Sequence, residues 1–201
     1  MKYQGKVKLN RGFTLVELII VLSLLLMILT AVYTFFDYTQ KVYTRTETQN
    51  ILQDEVNKFN GYLASDIRSA SKPDFSTKAI LVYKNGTLGT NGNRIDIFDY
   101  KENKFYKTSY IYEDNTIKRG VAERSTAAAI KLAPVTYETV LEGVECPSGE
   151  EMFKDITKDE AGEINDRRNI EINMIIKDPH AKINKAYNYT FSYTSRTKGA
   201  P

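Results

Sequence analysis

The 201-residue chain is poor in the residues that form covalent cross-links and transition-metal sites. It has one cysteine, Cys146, one histidine, His180, and no tryptophan. A single cysteine cannot form a disulfide within the chain, so a disulfide-stapled scaffold is excluded. Cysteine-rich metal sites are excluded for the same reason. Packing must therefore hold the fold, and hydrophobic residues, at 42% of the chain, are numerous enough to build a sizeable core.

An excess of positive charge is also missing from most of the chain. Lys and Arg number 28 against 25 Asp and Glu, but four basic residues lie before residue 13, where there is no acid. These four are Lys2, Lys6, Lys8 and Arg11. Without them 24 basic residues remain against 25 acidic ones, a net charge of about −1. The body has no basic field for a phosphate backbone, and no nucleic-acid partner is predicted.

Charge is almost absent from residues 13–36, which read FTLVELIIVLSLLLMILTAVYTFF and contain one ionisable carboxylate, Glu17. A helix of this length spans about 36 Å at about 1.5 Å per residue, enough to cross a hydrocarbon core of about 30 Å. The basic residues before it hold the N-terminus in the cytoplasm. A cleaved secretory signal peptide is excluded, because the run is too long and ends in Tyr33, Phe35 and Phe36 rather than small residues.

The string from Lys8 to Leu22, KLNRGFTLVELIIVL, resembles the class III signal of type IV prepilins, type II secretion pseudopilins and competence pseudopilins. It combines a basic leader, a glycine before an aromatic residue, a glutamate five residues into the mature chain and an apolar run. The resemblance implies that prepilin peptidase cuts between Gly12 and Phe13 and methylates the new amino terminus. It further implies that Glu17 pairs with the Phe13 amine of a neighbouring subunit, setting the register of a filament.

The alternative for this segment is a plain signal anchor with an incidental glutamate. A charged side chain near the centre of a membrane helix costs about 2.5 to 3.5 kcal/mol on insertion scales, so its presence calls for a function. Glu17 lies near the cytoplasmic end, where the cost is smaller. An unpaired carboxylate and an unpaired amine in an apolar filament core are both costly, which favours the registry function.

The polar continuation, residues 37–71, is predicted to extend the same helix, because it contains no proline and one glycine, Gly61. Apolar residues recur there at steps of three and four, an amphipathic stripe that favours packing on the chain's own domain. The stripe comprises Leu52, Val56, Phe59, Leu63, Ile67 and Ala70. Pro73 predicts the helix end just before it. The segment 63–70 resembles the helix end of PilW-like minor pilins and J-type minor pseudopilins, with Asp66 and Arg68 as its distinctive residues.

Residues 72–201 show strand patterns, at 79–84, 94–100, 105–112 and 137–144. Two further segments alternate cleanly, 170–176 and 187–193, and are expected to pair through the loop around Asp178. Asn85-Gly86 and Asn91-Gly92 are turn signals. The expected fold is α+β and type IV pilin-like, with one long N-terminal helix packed on a mainly antiparallel sheet. The predicted organisation is a leader (1–12), a spanning helix (13–36), its amphipathic continuation (37–71) and a β-rich domain (72–201).

Few residues suggest a metal or catalytic site. The acidic run from residue 155 to 166 gives weak calcium candidates in Asp155, Asp159 and Glu163, but an EF-hand would need glycine at the position of Glu160. A solvated loop is the expected structure. Cys146 and His180 lie in no nucleophile motif. The chain is therefore expected to be no enzyme and to need no cofactor.

The predicted function is that of a minor pilin or pseudopilin, a structural subunit that initiates or caps a type IV pilus-like filament. Its expected partners are other pilins, prepilin peptidase and the pilus assembly machinery. The precursor is expected to be a single-pass protein of the cytoplasmic membrane, and the assembled subunit to lie on the cell surface. Two alternatives stay open: a signal-anchored extracellular adhesin or binding protein without a filament, and an anchored enzyme.

Overall fold

The computed structural model describes residues 14–158, 167–178 and 185–195. It divides into two compact units, Met1–Glu47 and Thr48–Pro201. One helix, α1 (Leu15–Ser69), contributes residues to both units. No proline interrupts it, and it ends where Ser71 donates its backbone N–H to the carbonyl of Phe98 at 2.8 Å. This hydrogen bond attaches the residues that follow the helix to a β-strand.

Eleven strands and a short helix follow α1 in the described residues. In chain order these elements are β1 (Ile80–Lys84), β2 (Thr87–Gly89), β3 (Asn91–Gly92), β4 (Arg94–Lys101), β5 (Lys104–Glu113), β6 (Thr116–Arg124), α2 (Ala127–Lys131), β7 (Glu138–Glu142), β8 (Val144–Glu145), β9 (Phe153–Asp155), β10 (Asn169–Lys177) and β11 (Ala186–Thr194).

The strands form two sheets in which every pairing between described residues is antiparallel. Sheet 1 has the order β2-β1-β4-β5-β6-β7. Sheet 2 has the order β11-β10-β9-β3, with β8 also paired to β10. The predicted α+β class with a long helix and antiparallel sheets is confirmed, and so is the pairing of the last two strands.

Tight two-residue turns connect the longest strands of sheet 1. Glu102 and Asn103 link β4 to β5, and Asp114 and Asn115 link β5 to β6, all four with φ between 49° and 63°. Positive φ at both central residues is typical of the type I′ hairpin turn, whose twist matches that of the strands. The predicted turn at Asn85-Gly86, between β1 and β2, has the same signature.

The second predicted turn, Asn91-Gly92, is wrong, because these two residues form β3 and pair with β9. Residue 92 must be glycine, because the backbone of β3 lies very close to the backbone of β1. A Cβ on Gly92 would lie 1.9 Å from the backbone oxygen of Tyr83. The predicted strand at 137–144 is likewise divided, since Gly143, at φ 68°, directs β7 into sheet 1 and β8 into sheet 2.

The main core lies between the second part of α1 and both sheets. All six residues of the predicted stripe are buried there, none more than 5% exposed, which confirms the stripe. They pack against apolar residues of sheet 1, such as Ile97, and of sheet 2, such as Ile172. A smaller cluster of Phe98, Ala122 and Ile130 lies under α2 on the opposite face of sheet 1. Each large apolar side chain in these two clusters contributes about 1.5 to 3 kcal/mol by burial.

Candidate functional site

The first turn of α1 holds the described part of the predicted processing and assembly site. Gly12 and Phe13 lie outside the described residues, while Thr14 directly precedes the helix and Glu17 is its third residue. The backbone N–H of Thr14 donates to Glu17 Oε2 at 3.0 Å, and the backbone N–H of Glu17 donates to Thr14 Oγ1 at 3.3 Å. The Thr14 hydroxyl also donates to Glu17 Oε2 at 3.0 Å.

This reciprocal pair is a capping box, in which two side chains satisfy backbone N–H groups that have no partner within the helix. Glu17 thus has a local function in a single chain, besides the pairing with a neighbour that the resemblance implies. Its negative charge also lies at the positive end of the helix dipole. The signal that could have revealed the cap was the spacing of Thr14 and Glu17 immediately before the apolar run.

The apolar part of α1 is exposed on every side within its unit. Large apolar side chains between Leu15 and Phe36 are 49–75% exposed. An 18-residue window of this helix reaches a mean hydropathy of 2.9, and none of it is buried. A helix that is apolar all round needs lipid or other protein around it. Length and composition therefore suit this part of α1 to membrane anchoring.

Residues 7–33 match the family model of the prokaryotic N-terminal methylation motif. The chain carries a type IV prepilin-like signal. The matched range includes the predicted cleavage junction and the capping box, and it extends through most of the apolar run. The motif implies processing by prepilin peptidase and assembly with pilin machinery in general. No curated protein matches the chain.

The end of α1 is fastened to sheet 1 through Asp66, one of the two residues singled out at the helix end. Tyr110 Oη donates to Asp66 Oδ2 at 2.6 Å, and Arg119 Nη2 donates to the same oxygen at 3.0 Å. Burial raises the pKa of Tyr110, and the adjacent Asp66 carboxylate raises it further, so the phenol stays a hydrogen-bond donor. Arg68, the other singled-out residue, is exposed.

We call Asp66, Tyr110 and Arg119 the helix clamp. Arg119 also lies over the ring of Tyr62, with 5.7 Å between its guanidinium carbon and the ring centroid. The sequence analysis did not identify Tyr110 or Arg119 as partners of Asp66. They lie 44 and 53 residues away along the chain, and no local spacing signals such a contact. The helix clamp fixes the position of the end of α1 on sheet 1.

The calcium candidates are only partly within the described residues. The carboxylate of Asp155 pairs with the guanidinium of Arg168, whose Nε donates to Asp155 Oδ2 at 3.0 Å. Both side chains are almost fully buried. Asp159 and Glu163 lie outside the described residues, and so does His180. Within the described ranges no group of His, Cys, Asp and Glu side chains is arranged to hold a metal ion.

Cys146 is half-buried and donates its thiol to the backbone oxygen of Glu150 at 3.2 Å. Burial raises the pKa of this thiol, and the carboxylates of Glu151 and Glu150 raise it further. A raised pKa keeps the sulfur protonated near neutral pH, which is the opposite of what a nucleophilic cysteine requires.

Proposed function

We propose that the chain is a minor pilin or pseudopilin, a structural subunit that initiates or caps a type IV pilus-like filament after its leader is removed. The observation that carries the proposal is a carboxylate, Glu17, placed in the first turn of an exposed apolar helix inside the methylation motif. A membrane anchor alone could use Glu17 only as a helix cap, for which an uncharged acceptor suffices. A filament has a further use for its negative charge, which can pair with the amine of the neighbouring Phe13.

The attachment of α1 to the folded domain also supports the proposal, because a filament subunit would carry its domain on this helix. The second part of α1 is buried in its own domain and held by the helix clamp, so the domain and the helix move as one piece within the unit Thr48–Pro201. Glu17 disfavours the K-type tip pseudopilin, which typically lacks this glutamate. The helix end around Asp66 favours a PilW-like or J-type subunit behind the tip.

We infer a structural rather than a catalytic function for the folded domain. The protonated thiol of Cys146 and the engagement of Asp155 by Arg168 support this inference. A signal-anchored adhesin is the second candidate. It would share the anchor and the folded domain, and it would use Glu17 only as a helix cap.

Processing is the first test of the proposal. Co-expression with a prepilin peptidase should shorten the protein by the twelve residues that precede Phe13 and leave a methylated amino terminus. Intact-mass analysis measures both changes. A bulky replacement, Gly12→Trp, should block cleavage, because the residue before the cut must be small enough to fit closely. A full-length product from the unaltered chain would contradict the proposal.

Location is the second test, and it separates a filament subunit from an adhesin. Sheared surface filaments of the source organism should contain the processed chain, and immunogold labelling should mark one filament end. Deleting the chain should lower the number of filaments if it initiates assembly. An adhesin would stay with the membrane fraction, and its deletion would leave the filament number unchanged.

A further inference from the structure

Two large apolar side chains of the folded domain are almost fully exposed. Phe75 is 85% exposed and Leu132 is 89% exposed, whereas no described large apolar side chain of the membrane-spanning segment exceeds 75%. The other described phenylalanines of the unit Thr48–Pro201 are buried or half-buried. Single apolar residues on a surface are ordinary, but these two have the highest exposure in the described part of the chain and lie close together.

One ion pair connects the loop of Phe75 to the end of α2. Asp74, the residue before Phe75, accepts a hydrogen bond from Lys131, the residue before Leu132, with 2.7 Å between Oδ2 and Nζ. Lys131 also donates to Thr77 Oγ1 at 3.5 Å. The Lys131 ammonium holds the pKa of Asp74 well below its usual range, so the pair stays charged at neutral pH. The two apolar side chains therefore leave the surface from neighbouring points.

The loop that carries Phe75, residues 72–78, is closed at both ends on one residue of β4. Ser71 donates its backbone N–H to the carbonyl of Phe98, and Phe98 donates its backbone N–H to the carbonyl of Ala79, both at 2.8 Å. A loop closed in this way is held in place by its ends. Phe75 therefore keeps its position although its own side chain packs on little of the protein.

The same residue of β4 supports Leu132 through its side chain. Phe98 packs with Ile130 and Ala133 in the smaller apolar cluster. Ile130 and Ala133 are buried, while Leu132, which lies between them in the chain, is exposed. Both exposed side chains are thus presented by backbone that is fixed on sheet 1. We call Phe75 and Leu132 the apolar tips.

The segments that carry the apolar tips are basic. Residues 71–79 and 124–132 together contain four basic residues and one acidic residue, a net formal charge of +3. All residues after the leader together carry a net charge of about −1. The charged residues of the two segments are Lys72, Lys78, Arg124 and Lys131, with Asp74 as the acid. The electrostatic complement of this region is therefore an anionic surface.

A lipid bilayer with anionic headgroups matches both properties of this region. Its surface attracts basic segments, and its hydrocarbon boundary takes up apolar side chains. A protein partner would need a separate pocket for each of two protruding side chains and acidic residues around both pockets. A fluid bilayer needs no matching shape, so it suits two side chains that stand out from a rigid support.

We propose that the apolar tips and the basic segments around them dock on an anionic lipid bilayer other than the one that holds the anchor. The choice of a separate bilayer rests on the proposed function, because the anchor of an assembled subunit lies among neighbouring helices and no longer in lipid. Docking on lipid goes beyond that function, since filament assembly requires no lipid contact from the folded domain.

Vesicle binding by the full-length protein is the first test. The protein is held by its apolar helix in nanodiscs of neutral phosphatidylcholine, and sucrose-loaded vesicles of phosphatidylglycerol are added and sedimented. The loaded discs should bind these vesicles at least about tenfold more tightly than vesicles of phosphatidylcholine, because only anionic headgroups attract the basic segments. Added salt should weaken the binding through screening. Empty discs give the background.

Serine substitutions measure the contribution of the apolar tips. Phe75→Ser and Leu132→Ser should each weaken binding to phosphatidylglycerol vesicles at least about tenfold, because each removes a large apolar side chain from the hydrocarbon. Leu88→Ser is the matched control, since Leu88 is also exposed, at 59%, but lies on β2 outside the tips, and its binding should stay within about twofold. Circular dichroism checks the fold of all three variants.

The absence of tryptophan from the chain allows one introduced indole to report where lipid is contacted. Phe75→Trp should lose fluorescence when vesicles of phosphatidylglycerol with brominated acyl chains are added, because bromine quenches an indole only at short range. Leu88→Trp should keep its fluorescence. Both variants are compared in the same neutral discs, so the anchor contributes equally to the two measurements.

Three results would overturn the proposal. The first is no sedimentation with phosphatidylglycerol vesicles, which would leave the apolar tips to a protein partner. The second is equal binding to anionic and neutral vesicles. The third is undiminished binding of both Phe75→Ser and Leu132→Ser, with equal quenching at residues 75 and 88, which would place the lipid contact elsewhere. No measurement here needs cleavage or filaments, so failure is distinguishable from failure of the proposed function.

Discussion

Glu17 accepts two hydrogen bonds from Thr14 in a single chain, and the resemblance to type IV prepilins implies that the same carboxylate pairs with a neighbour's amine. The two functions are compatible, because a carboxylate has lone pairs for several donors. They differ in what they require of the side chain. The cap needs an acceptor atom, whereas the pairing with a protonated amine needs a negative charge. Substitutions at residues 14 and 17 can therefore separate them.

We expect Glu17→Gln and Glu17→Ala both to be cleaved normally and both to be depleted from filaments. Glutamine keeps an acceptor for the capping box but loses the charge, and alanine loses both. Either change eases membrane insertion while leaving a neighbouring Phe13 amine unpaired during assembly. Immunoblots of membrane and sheared-filament fractions measure the two steps separately.

Thr14→Ala is the matched control for this pair. It breaks the cap at a cost of about 0.5 to 2 kcal/mol in helix stability but keeps the charge of Glu17, so we expect incorporation into filaments to persist. If Glu17→Gln entered filaments as well as the unaltered chain, capping would be the function of this residue. The registry function would then have to be abandoned.

The helix clamp makes a second prediction at the scale of single residues. Asp66→Asn should destabilise the domain by about 1 to 3 kcal/mol, because it leaves the partly buried Arg119 without its charged partner. Urea unfolding of the detergent-solubilised protein, followed by tyrosine fluorescence, measures the change. Glu123→Gln is the control, since its pair with Lys104 is exposed and should contribute less than about 1 kcal/mol. If the two substitutions lowered the free energy of unfolding equally, the helix clamp would contribute no more to stability than an exposed ion pair.

At the scale of secondary-structure elements, the periodicity of apolar residues predicted a helix or strand correctly where burial of one face determined the pattern. The stripe in α1 and the alternation in β10 and β11 each follow from burial of one face, so the apolar pattern reproduces the structure. β6 was not predicted, because Lys118, Arg119, Glu123 and Arg124 hide its pattern in the sequence. Arg119 serves the helix clamp from this strand, a contact that only the tertiary fold brings about.

The same limit applies to the candidate site. The leader, the junction at Gly12 and the position of Glu17 could be interpreted because their spacing along the chain carries the signal. The methylation-motif match, at residues 7–33, covers the junction and Glu17. Contacts between segments that are distant along the chain could not be predicted in this way. The two sheets and the engagement of Asp155 by Arg168 depend on which strands become neighbours, and local sequence does not encode that order.

Two glycines in different elements should respond to alanine in opposite ways. A Cβ on Gly120 in β6 would lie 2.2 Å from Val135 Cγ1 and 2.4 Å from the backbone oxygen of Thr136, whereas a Cβ on Gly61 in α1 meets nothing within 4 Å. Gly120→Ala should cost about 1 to 3 kcal/mol through overpacking. Gly61→Ala should gain about 0.5 to 1 kcal/mol, because alanine restricts the unfolded chain and favours helix.

Urea unfolding midpoints of the two variants, measured under the same conditions, check this pair. A loss of stability in Gly61→Ala would show that the exposed side of α1 near residue 61 is covered in solution. An unchanged midpoint in Gly120→Ala would show that the segment around Val135 moves aside without cost, and would contradict the close packing described for β6.

At the scale of the whole molecule, the unit Thr48–Pro201 has its own core and should fold without the membrane-spanning part. We expect a fragment starting at Asp37 to be a monodisperse monomer with both helix and strand, because the stripe from Leu52 to Ala70 is covered by its own sheets. Light scattering and circular dichroism measure size and secondary structure. An aggregating fragment would mean that the stripe serves other subunits, since exposed apolar patches drive association.

The apolar surface of α1 between Leu15 and Phe36 also limits how a subunit can travel. Each large apolar side chain transferred to water costs about 1.5 to 3 kcal/mol, so the whole segment would cost tens of kcal/mol. A chain with this segment exposed therefore cannot diffuse freely through water. In the proposed filament, a subunit would therefore be handed directly from lipid to neighbouring helices, and a shortening filament would return its subunits to the bilayer rather than shed them into the medium.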